Sequence, residues 1–183
     1  MIRNVLIVLA LSLIAGESVF ANDLSYTNIR FGAVSGDISD RNLTGLSLKA
    51  SLALNKNIFV QSTYNELELK LPTAEFERLL LGAGYSLKLT NNIDFQTTLS
   101  YVVTGTELSN SEGYEAALGF RSKPYRSIEF GIETLYVDVG AAEGEVGYTL
   151  STRWIANNTF SLGLLYRQVD NVNTAVLDIG LGF

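Results

Sequence analysis

The stretch AVLDIGLGF, residues 175–183, carries the pattern on which the fold prediction depends. Leu177, Ile179 and Leu181 fall on one side of the chain, while Asp178 and its glycine neighbours fall on the other. A period of two residues is typical of a β-strand with one apolar and one polar face. The stretch therefore predicts a strand and not a helix.

The same alternation recurs towards the start of the chain, most clearly in residues 95–103, 128–137, 146–154 and 160–167. Short turns rich in Asn or Pro separate such segments at 55–57, 91–92, 123–124 and 157–158. Slightly longer polar connections lie between these turns. The layout predicts an antiparallel meander of about ten strands, with short turns at one end and longer loops at the other. Eight strands remain an alternative because the parity of the first strand is unclear.

One predicted strand changes parity along its length. Residues 58–64 keep their apolar side chains on one face, whereas residues 67–71 keep them on the other. A β-bulge near Asn65 and Glu66 would return both parts to the same face.

Composition excludes several classes of function. The chain is 47% hydrophobic and 17% charged, which is too apolar for a disordered protein. Its net charge of −6 argues against general nucleic-acid binding. It contains neither Cys nor His, which removes thiol chemistry and the commonest acid–base catalyst. No catalytic, cofactor or metal motif stands out, so we expect a protein that is not an enzyme and needs no cofactor.

The amino-terminal segment has the layout of a secretory signal peptide. Arg3 precedes an apolar core at residues 5–15, and Val19-Phe20-Ala21 suits cleavage after Ala21. The core is too short for a transmembrane helix, which needs roughly 20 residues. We therefore predict a signal peptide at residues 1–21 and a single exported β-domain at residues 22–183.

The orientation of the two faces determines the compartment. A soluble barrel buries its apolar face, whereas a membrane barrel turns that face to lipid and fills its lumen with polar side chains. Small residues on the polar face suit a narrow lumen, and aromatic residues near the strand ends suit two interfacial belts. The predicted belt residues are Phe95, Tyr101, Tyr114, Tyr136, Tyr148, Trp154, Phe160 and Tyr166.

With these features the chain resembles the small outer-membrane β-barrels of Gram-negative bacteria, the OmpA/OmpX-like or opacity-like group. The resemblance rests on the signal peptide, on strand–turn units such as LLLGAGYSLKLTNNIDFQTTLSY (79–101), and on the terminal LDIGLGF (177–183). It implies a closed, monomeric, up-and-down barrel among outer-membrane lipids and lipopolysaccharide. It also implies that the barrel-insertion machinery recognises the last strand through Leu177, Ile179, Leu181 and Phe183.

Ten charged residues share the parity of the predicted lumen: Lys49, Lys88, Asp94, Glu115, Arg121, Glu129, Glu133, Arg153, Arg167 and Asp178. Opposite charges in a narrow interior should pair, because lone buried charges are costly. This predicts a salt-bridged, closed lumen and a structural or surface-interaction role. A narrow channel for small solutes or ions, lined by the same residues, is the alternative. A periplasmic ligand-binding barrel with an apolar lumen is a third interpretation.

The two predicted ends differ in charge. The longer loops carry mostly acids, with Arg41 and Arg78 as their cations, whereas the short turns carry Lys and Arg alone. We interpret this as ordinary solvated loop charge.

The barrel prediction can be tested by electrophoresis of protein from the outer-membrane fraction. A closed barrel stays folded in detergent without heating, so boiled and unboiled samples should migrate differently. A soluble periplasmic protein without this shift would mean that the two faces are inverted.

Overall fold

The computed structural model describes residues 24–39, 41–70, 73–106, 110–140, 143–157 and 159–182. The predicted signal peptide and Phe183 lie outside these ranges. The described part of the chain contains no helix long and apolar enough to span a membrane.

Ten strands make up the described fold. They are β1 (Asn28–Ile38), β2 (Arg41–Ala53), β3 (Ile58–Lys70), β4 (Thr73–Thr90), β5 (Ile93–Thr106), β6 (Asn110–Tyr125), β7 (Ile128–Val139), β8 (Glu145–Ile155), β9 (Phe160–Val169) and β10 (Val172–Gly182). Each strand pairs antiparallel with its neighbours in the chain. The prediction of about ten strands is confirmed, and the alternative of eight is wrong.

The sheet closes on itself between its first and last strands. β1 pairs with β10 along its whole length, from Asn28 opposite Gly182 to Ile38 opposite Val172. A closed sheet has no unpaired edge, so its backbone amides and carbonyls can be satisfied within lipid. The predicted closed, antiparallel, up-and-down barrel is confirmed.

The two ends of the barrel have connections of similar length, contrary to expectation. We call one end the loop end; its connections are 39–40, 71–72, 107–109, 140–144 and 170–171. We call the other the turn end; its connections are 54–57, 91–92, 126–127 and 156–159. β1 begins and β10 ends at this same end of the barrel. The predicted longer loops are wrong because most of their polar residues continue the strands. Glu75 and Glu77, for example, pair with Glu68 and Glu66.

The predicted bulge near Asn65 and Glu66 is also wrong. β3 keeps an unbroken register with both β2 and β4, and Asn65 lies opposite Ser47 and Arg78. The change of parity is therefore real. Leu67 points into the lumen, where it packs in a buried cluster with Val34 and Leu43.

The outer wall is broadly apolar. Leu99 and Ile179 are 63% and 62% exposed, and Leu, Ile and Phe side chains occupy outward positions on most strands. A soluble monomer rarely carries so large an apolar surface, whereas a membrane barrel presents it to lipid. The outward orientation of the apolar face therefore agrees with a membrane barrel and disagrees with a soluble one.

Tyrosines form a belt on the outer wall near the loop end. Tyr101, Tyr114, Tyr136, Tyr148 and Tyr166 are all partly exposed there. The rings of Tyr114 and Tyr136, and those of Tyr148 and Tyr166, have centroids 6.1 Å apart. Three of the hydroxyls donate hydrogen bonds to polar side chains nearby. Tyr101 donates to Glu112, Tyr148 donates to Gln168 at 2.8 Å, and Tyr166 donates to Asn173 at 3.2 Å. An apolar ring with a hydrated hydroxyl suits a membrane interface.

The turn end carries the other predicted aromatic residues. Trp154 and Phe160 are exposed on the outer wall, at 56% and 51%. Phe95 is half-buried and packs edge-on against Phe120, with ring centroids 5.5 Å apart.

Two arginine substitutions on the outside of β8 test the lipid-facing band. Leu150→Arg puts a charge between the Tyr148 and Trp154 levels and should cost about 2–4 kcal/mol of unfolding free energy. Val146→Arg, one outward position nearer the loop end than Tyr148, should cost about 0–1 kcal/mol because its charge lies near water. Urea unfolding in lipid vesicles measures both values. Equal costs would contradict a lipid boundary at the tyrosine belt.

Candidate functional site: the lumen

The alternation of the strands brings the predicted lumen charges into the interior. Asp94, Glu115, Arg121, Glu129 and Asp178 are buried there, and Lys49, Glu133, Arg153 and Arg167 line its cavities. Lys88 differs from these because it is exposed near the turn end, opposite Asp94 in the register of β4 and β5.

Tyr26 fills the lumen at the turn end. It precedes β1, is buried, and stacks on Phe59 with ring centroids 4.6 Å apart. The Arg121 guanidinium lies 4.3 Å from the centre of the Tyr26 ring, a cation–π contact. The Tyr26 hydroxyl donates to Asp94 Oδ2 at 3.3 Å. Gly84 provides the space for Phe59, because a Cβ atom at Gly84 would lie only 2.1 Å from that ring.

Ion pairs surround this aromatic plug. Arg121 donates to Glu129 Oε1 through Nη2 at 2.7 Å and through Nε at 3.1 Å. Arg153 Nη1 lies 3.6 Å from the same carboxylate oxygen. Arg121 Nη2 also donates to the Ser25 carbonyl at 3.2 Å, which ties the segment before β1 to β6. We call Tyr26, Phe59, Asp94, Arg121, Glu129 and Arg153 the turn-end plug.

A second charged group crosses the lumen nearer the loop end. Glu115 Oε2 accepts from Arg78 Nη2 at 2.8 Å and from Arg167 Nη2 at 2.7 Å, and its other oxygen accepts from Arg167 Nη1 at 3.0 Å. Arg78 is on β4 and Arg167 on β9, five strands apart in the ring of ten. We call this group the Arg78–Glu115–Arg167 bridge. It joins opposite walls of the barrel by charge-assisted hydrogen bonds.

The two halves of the lumen enclose different spaces. A polar cavity of about 60 Å³ lies beside the turn-end plug, enough for a few water molecules. A larger cavity of about 330 Å³ occupies the loop-end half. Its wall includes Val34, Leu43, Leu67, Phe76, Ala117 and Val169. An apolar wall in this half of the lumen was not predicted.

Sequence reasoning missed three lumen residues. Arg30 lies in the first strand, whose parity was unclear, and its Nη1 is 3.8 Å from Asp178 Oδ2. Arg78 was assigned to a loop, although Phe76, Arg78 and Leu80 continue the inward positions of β4. Extending the alternation of β4 towards the start of the strand would have identified Arg78 as an inward residue. Nothing in the sequence marks Tyr26, which lies before the first strand.

Neither a protein-family model nor a curated protein sequence matches the chain. Solved structures do match its fold. The KdgM porin in complex with disordered oligogalacturonate is 8% identical, with a TM-score of 0.53, and the match covers 86% of this chain and 99% of that one. The NanC porin is 12% identical, with a TM-score of 0.52, and the match covers 85% and 98%.

This chain has the fold of an outer-membrane β-barrel. Its apolar outer wall and tyrosine belt agree with that fold, since both are expected where strands cross lipid. Fold and lipid-facing surface together agree with the predicted location in the outer membrane of a Gram-negative bacterium. The identities are too low to carry over the activity of any of these porins.

Removing the central carboxylate of the bridge tests its contribution to stability. Glu115→Gln leaves two arginines facing a neutral amide, and we expect a loss of about 3 kcal/mol or more in unfolding free energy. Glu112→Gln is the matched control on the same strand, because Glu112 is exposed and should cost about 1 kcal/mol or less. Urea unfolding followed through Trp154 fluorescence measures both. Similar values for the two variants would argue against a stabilising bridge.

Proposed function

We propose that the protein is a non-enzymatic outer-membrane barrel with a closed lumen and a structural or surface-interaction role. The observation that carries this proposal is Tyr26, held across the turn end by Phe59, Asp94 and Arg121. An aromatic ring fixed on three sides obstructs ions more effectively than charged side chains alone.

The Arg78–Glu115–Arg167 bridge supports closure at a second level. An ion that passes it must separate a carboxylate from two arginines that meet across the lumen. Breaking a buried pair of this kind is costly, so the bridge and the plug act as two barriers in series. Small barrels commonly fill their interiors with side chains in this way.

A non-enzymatic role agrees with the chemistry available. The sequence holds no His and no Cys. Glu115 and Glu129, two of the buried carboxylates, are each engaged by arginine, which favours their ionised form and makes them poor general acids. A group that must donate a proton at neutral pH needs the opposite environment.

The second candidate function is a narrow channel. It is supported by the fold shared with the KdgM and NanC porins, one of which has been solved with an oligogalacturonate. Charged residues of both signs line the lumen, as in selective pores. Conduction would require Tyr26 to leave the turn end and the bridge to open.

Planar-bilayer recordings separate the two functions. We expect no conductance steps from the wild-type barrel, and steps from the double variant Tyr26→Ala/Arg167→Ala, which removes the ring and one arm of the bridge. Tyr125→Ala is the control, because this tyrosine also lies near the turn end but is 67% exposed. Heat-dependent mobility would verify that each variant has folded.

Steps from the wild-type protein, with an ion selectivity altered by Glu133→Gln, would support the channel. Wild-type silence combined with lower stability in Arg153→Ala would support the closed barrel.

A further inference from the structure

We infer that the loop-end cavity is a binding site for a small carboxylate with an apolar body. The cavity measures about 330 Å³, within the range of small-molecule sites. It combines apolar walls with a cationic floor, and these two features define the chemistry of the ligand. The inference goes beyond the proposed function, since closure of the barrel calls for no ligand.

Apolar side chains reach the cavity from opposite sides of the barrel. Val34, Leu43 and Leu67 form one buried cluster, and Ala117 and Val169 belong to another, with Leu135 behind them. Leu43 is on β2 and Leu135 on β7, five strands apart in the ring. The clusters therefore face each other across a space that they do not fill. Water gains few hydrogen bonds between such walls, so an apolar group that displaces it is favoured.

The bridge supplies positive charge at the floor of this cavity. Arg78 and Arg167 share the single Glu115 carboxylate, so the three side chains together carry one net positive charge. The Arg78 Nε atom is buried and has no hydrogen-bond partner among the described residues. A donor left unsatisfied in this way favours an acceptor from a ligand.

Lys49 adds a second cation to the same cavity. It lines the wall between the loop-end half and the turn-end plug. Within the described ranges its ammonium group makes no hydrogen bond or ion pair. Glu133 and Glu115 attract this ammonium group without contacting it. A ligand carboxylate in direct contact would add a charge-assisted hydrogen bond.

The cavity wall as a whole carries no net charge, because Arg30, Lys49, Arg78 and Arg167 are balanced by Glu115, Glu133, Glu145 and Asp178. Glu133 accepts a hydrogen bond from Gln96, and Asp178 faces Arg30. Glu145, at the start of β8, lines the same cavity and attracts Arg78. Arg78, Arg167 and Lys49 nevertheless offer hydrogen-bond donors to an anionic head. The head is expected beside them, with the apolar body between the two clusters. The turn-end plug leaves the loop end as the route of entry.

Calorimetric titration of the barrel in lipid nanodiscs tests this site. Octanoate is the probe, because it joins a carboxylate to an apolar chain. Octan-1-ol and octylammonium keep the chain and change the head, and acetate keeps the head without the chain. Titration into empty nanodiscs corrects for partition into lipid. We expect saturable binding of octanoate, about tenfold or more tighter than of the other three probes.

Two pairs of variants locate the binding. Ala117→Phe fills the cavity and should abolish octanoate binding. Leu118→Phe, at the next position on β6 but facing lipid, should leave it unchanged. Lys49→Met should weaken octanoate binding about tenfold without affecting octan-1-ol, whereas Lys88→Met, near the turn end, should affect neither.

Three results would overturn the inference: no saturable octanoate binding up to about 1 mM, binding that survives Ala117→Phe, or a preference for octylammonium over octanoate. Heat-dependent mobility shows whether Ala117→Phe has folded, and the Lys49→Met pair provides an independent reading. None of these results depends on conductance, so failure of the ligand site and failure of the closed barrel are distinguishable.

Discussion

The pairing of β1 with β10 is the constraint on which the rest of the structure depends. Strands that cross lipid must satisfy their backbone amides and carbonyls among themselves, and only a closed sheet does so for every strand. Once the ring is closed, each side chain has two destinations, lipid or lumen. Alternation along ten strands then sends many Leu and Ile side chains outwards and places charged residues such as Glu115 and Arg121 inwards.

Closure also explains why the lumen is divided. The interior of a ten-stranded ring is too narrow for bulky residues at every inward position, and glycine at position 84 makes room for Phe59. Near the turn end the lumen is filled by the aromatic ring of Tyr26 and by the ion pairs of Glu129 with Arg121 and Arg153. Towards the loop end, valine, leucine and alanine leave a cavity between the walls. The two halves thus differ in chemistry although the same strands build them.

Most of the architecture could be predicted from the sequence because membrane strands repeat a simple period. The stretch at 175–183 and its counterparts upstream predicted the strand number and the inward charges. The prediction failed where inward residues are themselves apolar. Leu67 is apolar but points into the lumen, where a polar residue was expected. The pattern therefore suggested a bulge, which is absent from β3. Tyr26 could not be predicted at all, because its position depends on Asp94, 68 residues away.

The contacts of Tyr26 also have a consequence for the order of assembly. Its partners come from β3, β5 and β6, and the Ser25 carbonyl contacts Arg121 across 96 residues of chain. Contacts between such distant residues close long loops, which costs entropy and slows their formation. The first residues of the described chain are therefore held in place by contacts that are slow to form. Filling of the turn end therefore depends on strands that lie far from Ser25 and Tyr26 along the chain.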